Sequence, residues 1–178
     1  SAIFYKRIDS LIEDSVQVEQ ATFRQQISNE LVTAPISFVK PTNGTGAAVK
    51  GLEVSFQSPL TFISDKLEHF GTMANFTYTE SAAGFKNQND VRSTSLTGLS
   101  KNSMNAMFYI DNETFDARIA YAWRSGYVSY FSESKYQDSY GQFDFSSNYN
   151  VTEHLSVQFD VLNMFNSQIV KFRDNNPQ

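Results

Sequence analysis

The sequence predicts an all-β chain, an antiparallel up-and-down meander of about seven strands. Three observations support this. Apolar and polar residues alternate with period two over many segments, most plainly in "FDARIAYAWRSGY" (115–127) and "YGQFDFSSNYNVTEHLSVQFDVLNMFN" (140–166); this is the periodicity of a strand with two unlike faces. The alternating segments run close to the 9–11 residues of a tilted membrane strand, against 5–6 for a soluble one. The connections alternate between short and long, the habit of barrels that cross an outer membrane. Together they make the meander part of a transmembrane β-barrel.

The elements follow in order. "SAIFYKRI" (1–8) reads as a short strand, and the polar stretch from Asp9 to Pro41 as a large loop carrying short strands of its own at "VQVEQATF" and "PISFV". In 46–60, Leu52, Val54 and Phe56 oppose Glu53, Ser55 and Gln57. A helical turn through Leu60, Ile63 and Leu67 leads to 69–80, where Phe70, Ala74, Phe76 and Tyr78 oppose Gly71, Asn75, Thr77 and Thr79. Residues 81–99 read as a loop. Strands at 102–111 and 115–127 flank the tight turn "DNET". Residues 127–139 read as a loop, two strands joined by "VTEH" follow, and 167–178 read as a final loop.

Composition narrows the function. Charged residues make up 19% of the 178, below the roughly 25% of soluble domains. Aromatics reach 15%, with 16 Phe, 9 Tyr and one Trp. Mean hydropathy is −0.38, and no apolar run approaches the roughly 20 residues of a membrane helix; half-apolar barrel strands escape such averages. A net charge of −5 argues against nucleic acid as a partner. The absence of cysteine excludes disulfides and thiol chemistry. Ser1 opens directly into a strand-like segment that does not read as a signal peptide; if the mature protein is exported, its signal is expected upstream.

Glu53, Asp116, Arg118, Arg124, Asp144 and Asp160 fall on the polar side of their strands. Buried dry, each would need a partner; a water-filled barrel interior suits them, and so does the solvent face of a soluble sandwich. A soluble carbohydrate-binding or adhesin module is therefore the alternative, and it requires the apolar residues to be mutually buried. In the barrel, Tyr121, Trp123, Phe143, Phe145 and Phe159 form one outward band. Asp144 and Asp160, carboxylates on adjacent strands, read as interior charges rather than a glycosidase pair. His69 and His154 lie at turns without metal-ligand spacing, so no metal, cofactor or catalytic group is expected. The loop "YVSYFSESKYQDSY" is rich in tyrosine. Tyr127 and Tyr140 adjoin strands and fit a membrane-boundary belt, whereas Tyr130 and Tyr136 are candidates for stacking on a ligand.

Several phrases carry more than periodicity: "FVKPTNGTGAAVKGLEVSFQ", "FGTMANFTYTES", "LTGLSKNSMNAMFYI", "FDARIAYAWRSGY" and "YGQFDFSSNYN" occur in that order. They resemble the C-terminal barrel region of TonB-dependent outer-membrane receptors, of the type abundant in Caulobacter and Xanthomonas, over nearly all of residues 38–166. The resemblance implies uptake of a scarce small-molecule nutrient, an oligosaccharide or alternatively an iron–siderophore, energised by TonB through a plug domain. It implies outer-membrane lipid as the surroundings and no catalysis. No plug and no closing strand are recognisable within 1–178, so the chain is expected to be a partial barrel of late strands that self-associates if isolated.

Overall fold

Alternation becomes one broad antiparallel sheet. The computed structural model describes residues 1–26, 29–44, 46–87, 90–130 and 135–173. In chain order the strands are β1 (Ala2–Ile8), β2 (Ile12–Arg24), β3 (Leu31–Asn43), β4 (Ala47–Pro59), β5 (Phe70–Asn87), β6 (Asp90–Thr94), β7 (Asn102–Asp111), β8 (Phe115–Arg124), β9 (Tyr127–Tyr130), β10 (Lys135–Gln137), β11 (Tyr140–Thr152), β12 (Leu155–Val161) and β13 (Lys171–Arg173). The main sheet follows the path β1-β4-β5-β7-β8-β11-β12, with β6 added to the end of β5. Every pairing along it is antiparallel.

The short connections lie at one end, held by local side-chain chemistry. Asn112 Oδ1 accepts from the N–H groups of Thr114 (3.0 Å) and Phe115 (2.9 Å), closing the β7–β8 turn in the way Asx side chains do. Thr152 Oγ1 accepts from His154 N between β11 and β12. Between β4 and β5 run two 3-10 turns, Leu60–Phe62 and Asp65–Leu67.

The long connections gather at the other end and are more ordered than the sequence suggests. The Asp9–Pro41 excursion is a continuous hairpin of two 13-residue strands, not a loop with short ones. The predicted loop 81–99 contains the end of β5 and β6. The loops at 127–139 and 167–178 supply β9, β10 and β13, a separate three-stranded sheet; residues 131–134 and 174–178 lie outside the described residues. These strands escape the period-two reading because they carry polar groups on both sides.

The cross-strand register makes the main sheet two-faced. Leu52, Tyr78, Phe76 and Met104 share one side with Phe108, Ile119 and Phe145. That side is not covered: Phe56 is 51%, Phe108 57% and Phe159 59% exposed. Among the described residues the buried hydrophobics are Ala47 and Ala83, with Ile8, Leu11 and Leu96 packed around them. The accessible surface is 12890 Å², where a compact monomer of this mass would have about 8,800 Å². The wall is therefore a single layer. A sandwich needs a second sheet over the apolar face, and none lies there among the described residues.

Candidate functional site

The register assigns all six sequence-predicted charged residues to the polar face. Glu53 lies opposite Ala2 and Thr77. Arg118 lies between Tyr109 and Ser146, and Ser146 lies opposite Asp160. Asp116 faces Asn148, whose Nδ2 donates to it at 3.2 Å. Asp144 sits opposite Ala120 and accepts from Gln142 Nε2 (2.7 Å) and from the Asn163 backbone N–H (2.8 Å). Asp160 accepts from Gln158 Nε2 at 2.8 Å. Arg124 donates to Ser100 Oγ and its guanidinium lies 4.1 Å from the Tyr127 ring centroid. Tyr140 donates to Gln142 and Asn105 to Asn75. Asp116, Asp144 and Asp160 are thus held by neutral amides in rows along and across strands. Asp144 and Asp160 belong to this network and do not converge on a cleft, so the arrangement is a hydrophilic wall.

The opposite face carries an aromatic band. Tyr121 and Phe143, paired across β8 and β11, stack at 4.4 Å; Phe145 and Phe159 lie 6.3 Å apart. Trp123 is paired with Gly141, whose missing side chain leaves room for the Trp123 and Tyr121 rings. Phe165 joins the band edge-on to Phe143 at 5.4 Å, a contact that alternation does not reveal because 162–166 is a turn. The signal for that turn is its pair of asparagines. Asn163 and Asn166 take positive φ, 53° and 52°, a conformation that asparagine tolerates better than most residues. Asn163 also exchanges hydrogen bonds with Ser167, and the Met164 N–H donates to Phe143 O. Chain reversal there returns Phe165 to the apolar side.

At the long-connection end a cavity of about 680 Å³ opens between the tops of β1, β4 and β5 and the β9–β10–β13 sheet, with Tyr5, Lys50, Glu80, Lys101, Tyr136 and Phe172 among its lining. The size falls within the range of small-molecule sites. Its two walls differ. On one, Tyr136 stacks on Phe172 at 5.7 Å, and Tyr127 donates to Gln137. On the other, Lys50 and Glu80 pair at 3.0 Å, the Tyr78 hydroxyl donates to Glu80, and the Lys101 ammonium sits 5.4 Å from the Tyr78 ring. This pair lies past Tyr78, beyond the membrane-length part of β5. The Tyr78 hydroxyl and then Lys50 hold the Glu80 carboxyl below its ordinary value, and Glu80 in turn raises Lys50.

Tyr136 is thus a predicted residue found in a cavity. The backbone of Tyr130 pairs with Lys135, and its side chain lies outside those described. Phe172, Lys50 and Glu80 were not legible as site residues, because each meets its partner only through pairing remote in sequence. His69 stands beside Glu68 at 3.6 Å and His154 sits in the β11–β12 turn, both on exposed surface.

Comparison with protein families matches residues 2–164 to the TonB dependent receptor-like, beta-barrel family. Comparison with curated proteins and with solved structures found no match. The matched family is one of outer-membrane receptors that take up nutrients, not of enzymes. With the match covering most of the chain and the two-faced antiparallel wall agreeing with it, the chain belongs to the TonB-dependent receptor-like β-barrel family.

Proposed function

We propose that this chain forms part of the wall and outer rim of a TonB-energised receptor, its aromatic face against lipid and its polar face toward a water-filled interior. Glu53, Asp116, Arg118, Arg124, Asp144 and Asp160 then line the lumen, and the long connections stand on the ligand-capturing side. The observation that carries this reading is the uncovered apolar face across seven paired strands. Apolar surface left in water forgoes about 25 kcal/mol for roughly every 1,000 Å², more than the net stability of a whole domain. Lipid removes that cost.

Strand direction supports a partial wall. Seven strands alternate along the path, so β1 and β12 run the same way. They cannot pair antiparallel with each other, and an antiparallel closure takes an odd number of further strands. TonB acts, on this reading, through a plug domain that these strands surround. The ligand reading is an oligosaccharide, supported by the Tyr136–Phe172 stack facing a Lys50–Glu80 pair whose charges cancel.

Trp123, the single tryptophan, tests the orientation. In phospholipid vesicles, lipids brominated on the acyl chain are expected to quench its emission, and aqueous iodide to leave it unchanged. Quenching by iodide alone would put the band in water and overturn the reading.

A further inference from the structure

The β2–β3 hairpin is rooted beside β5 but is not paired into the wall. Its two strands pair only with each other among the described residues, over an unbroken register from Ile12↔Asn43 to Arg24↔Leu31. An isolated two-stranded ribbon is marginal in water. This one also exposes Ile12 (77%), Leu31 (68%) and Val39 (55%).

Its two edges are not equivalent. In an antiparallel pair, alternate residues point their N–H and C=O at the partner strand, and the others point them away. Pro35 and Pro41 have no N–H, yet the ladder runs unbroken through Gln20↔Pro35, Ala21↔Ala34, Asp14↔Pro41 and Ser15↔Lys40. Both prolines must therefore occupy non-hydrogen-bonded pairs. The bonds Gln25 N–H to Glu30 O and Gly44 N–H to Leu11 O, at the two ends of the hairpin, continue the same phase. It follows that Leu31, Thr33, Ser37, Val39 and Asn43 face the free edge of β3 alongside Pro35 and Pro41. On β2 the free edge is formed by Ile12, Asp14, Val16, Val18, Gln20, Thr22 and Arg24. The β3 edge has lost two donors and gained two rings, the usual protection against strand addition. The β2 edge keeps every donor.

The β2 edge also has a sign. From Ile12 to Glu19 the strand contains Glu13, Asp14 and Glu19 and no basic residue. A strand added there would meet Asp14 on the face that carries Ile12 and Val18, and Glu19 on the opposite face.

We propose that the free edge of β2 is a docking site for an extended, basic segment of another polypeptide, taken up by β-strand addition. Main-chain hydrogen bonds from Asp14 to Thr22 provide the pairing. Asp14 and Glu19 select lysine or arginine on the added strand, and the prolines of β3 restrict the addition to one side.

The test uses the full chain in detergent micelles and a fluorescent peptide alternating lysine and valine, followed by anisotropy. The peptide is expected to bind. Val18→Pro, which removes an outward N–H of β2, weakens binding by about tenfold or more, as loss of a main-chain bond and crowding of the edge require. Ser37→Pro, the matching change on β3, leaves it unchanged. A peptide N-methylated on alternate residues fails to bind the unaltered chain, a control that needs no variant to fold. A peptide alternating glutamate and valine binds at least about tenfold more weakly at low salt. Equal losses in the two proline variants, binding of the N-methylated peptide, or no binding of the lysine peptide would each overturn the proposal.

Discussion

Replacing Ile119 with arginine sets the orientation of the wall against a number. Ile119 lies between Phe108 and Phe145 in register, on the apolar face of the ten-residue strand β8. It is four residues past Phe115, or about 13 Å along the strand at about 3.3 Å per residue. With a tilt of about 40° that is about 10 Å of height in an apolar band about 25 Å tall, close to the midplane. Arginine facing lipid at that depth costs about 2–4 kcal/mol, or about 30- to 700-fold in the folding equilibrium. The neighbouring Ala120→Arg provides the control. Ala120 faces the polar side opposite Asp144 and Met107, and arginine there should cost less than about 1 kcal/mol. The assay is guanidinium titration of the chain folded in phospholipid vesicles, followed by Trp123 emission. Equal costs at the two positions, or a larger one at Ala120, would refute the assignment of faces.

Three further outcomes follow from local geometry. A side chain on Gly51 would run into the Tyr78 carbonyl and the Phe4 ring, whereas on Gly71 it meets only the Tyr109 ring tip. Gly51→Ala should therefore cost about 1–3 kcal/mol and Gly71→Ala distinctly less, read as guanidinium midpoints at unchanged slope. Asp144→Ala removes the acceptor of the Asn163 N–H, so hydrogen exchange of that amide should accelerate by roughly tenfold while the β7–β8 turn is unaffected. The lowered Glu80 carboxyl gives the rim a pH dependence. Its contribution is present above the ordinary carboxylate value and is lost as pH falls through the lower folded value. Exchange at the Lys50 and Glu80 amides should rise in acid, and Glu80→Gln should abolish that rise; the raised Lys50 implies the converse loss at strongly alkaline pH.

What could be read in the sequence depended on having one apolar side. Tyr121, Phe143 and Phe145 announce a face because their neighbours Ala122, Gln142 and Asp144 are small or polar, and the register then joins them into one band. The β7–β8 turn was legible through Asn112, since its side chain performs the turn locally. β2, β3 and the β9–β10–β13 sheet follow no such rule. Glu19 pairs with Ile36, and Lys135 with Arg173, so polar groups stand on both sides and period two fades. Tyr136 could be suspected as an aromatic in a loop, but its stack on Phe172 depends on the β10–β13 pairing, and the Lys50–Glu80 bridge depends on the β4–β5 register.

Orientation needed a different kind of fact. Alternation is symmetric: it separates Phe159 from Asp160 without saying which of them meets the surroundings. Charges break that symmetry poorly, because Asp116 or Arg118 is as comfortable on a sandwich surface as in a lumen. Area breaks it well. A soluble two-layer fold must hide Phe56, Phe108 and Phe159, and each remains more than half exposed. The excess of the accessible surface over that of a compact monomer, about 4,000 Å², is a sheet left without a second layer. Hydrocarbon can complete that layer without asking more of the chain, since antiparallel pairing within the wall already satisfies the backbone there, and only the edges at β1 and β12 still require strands.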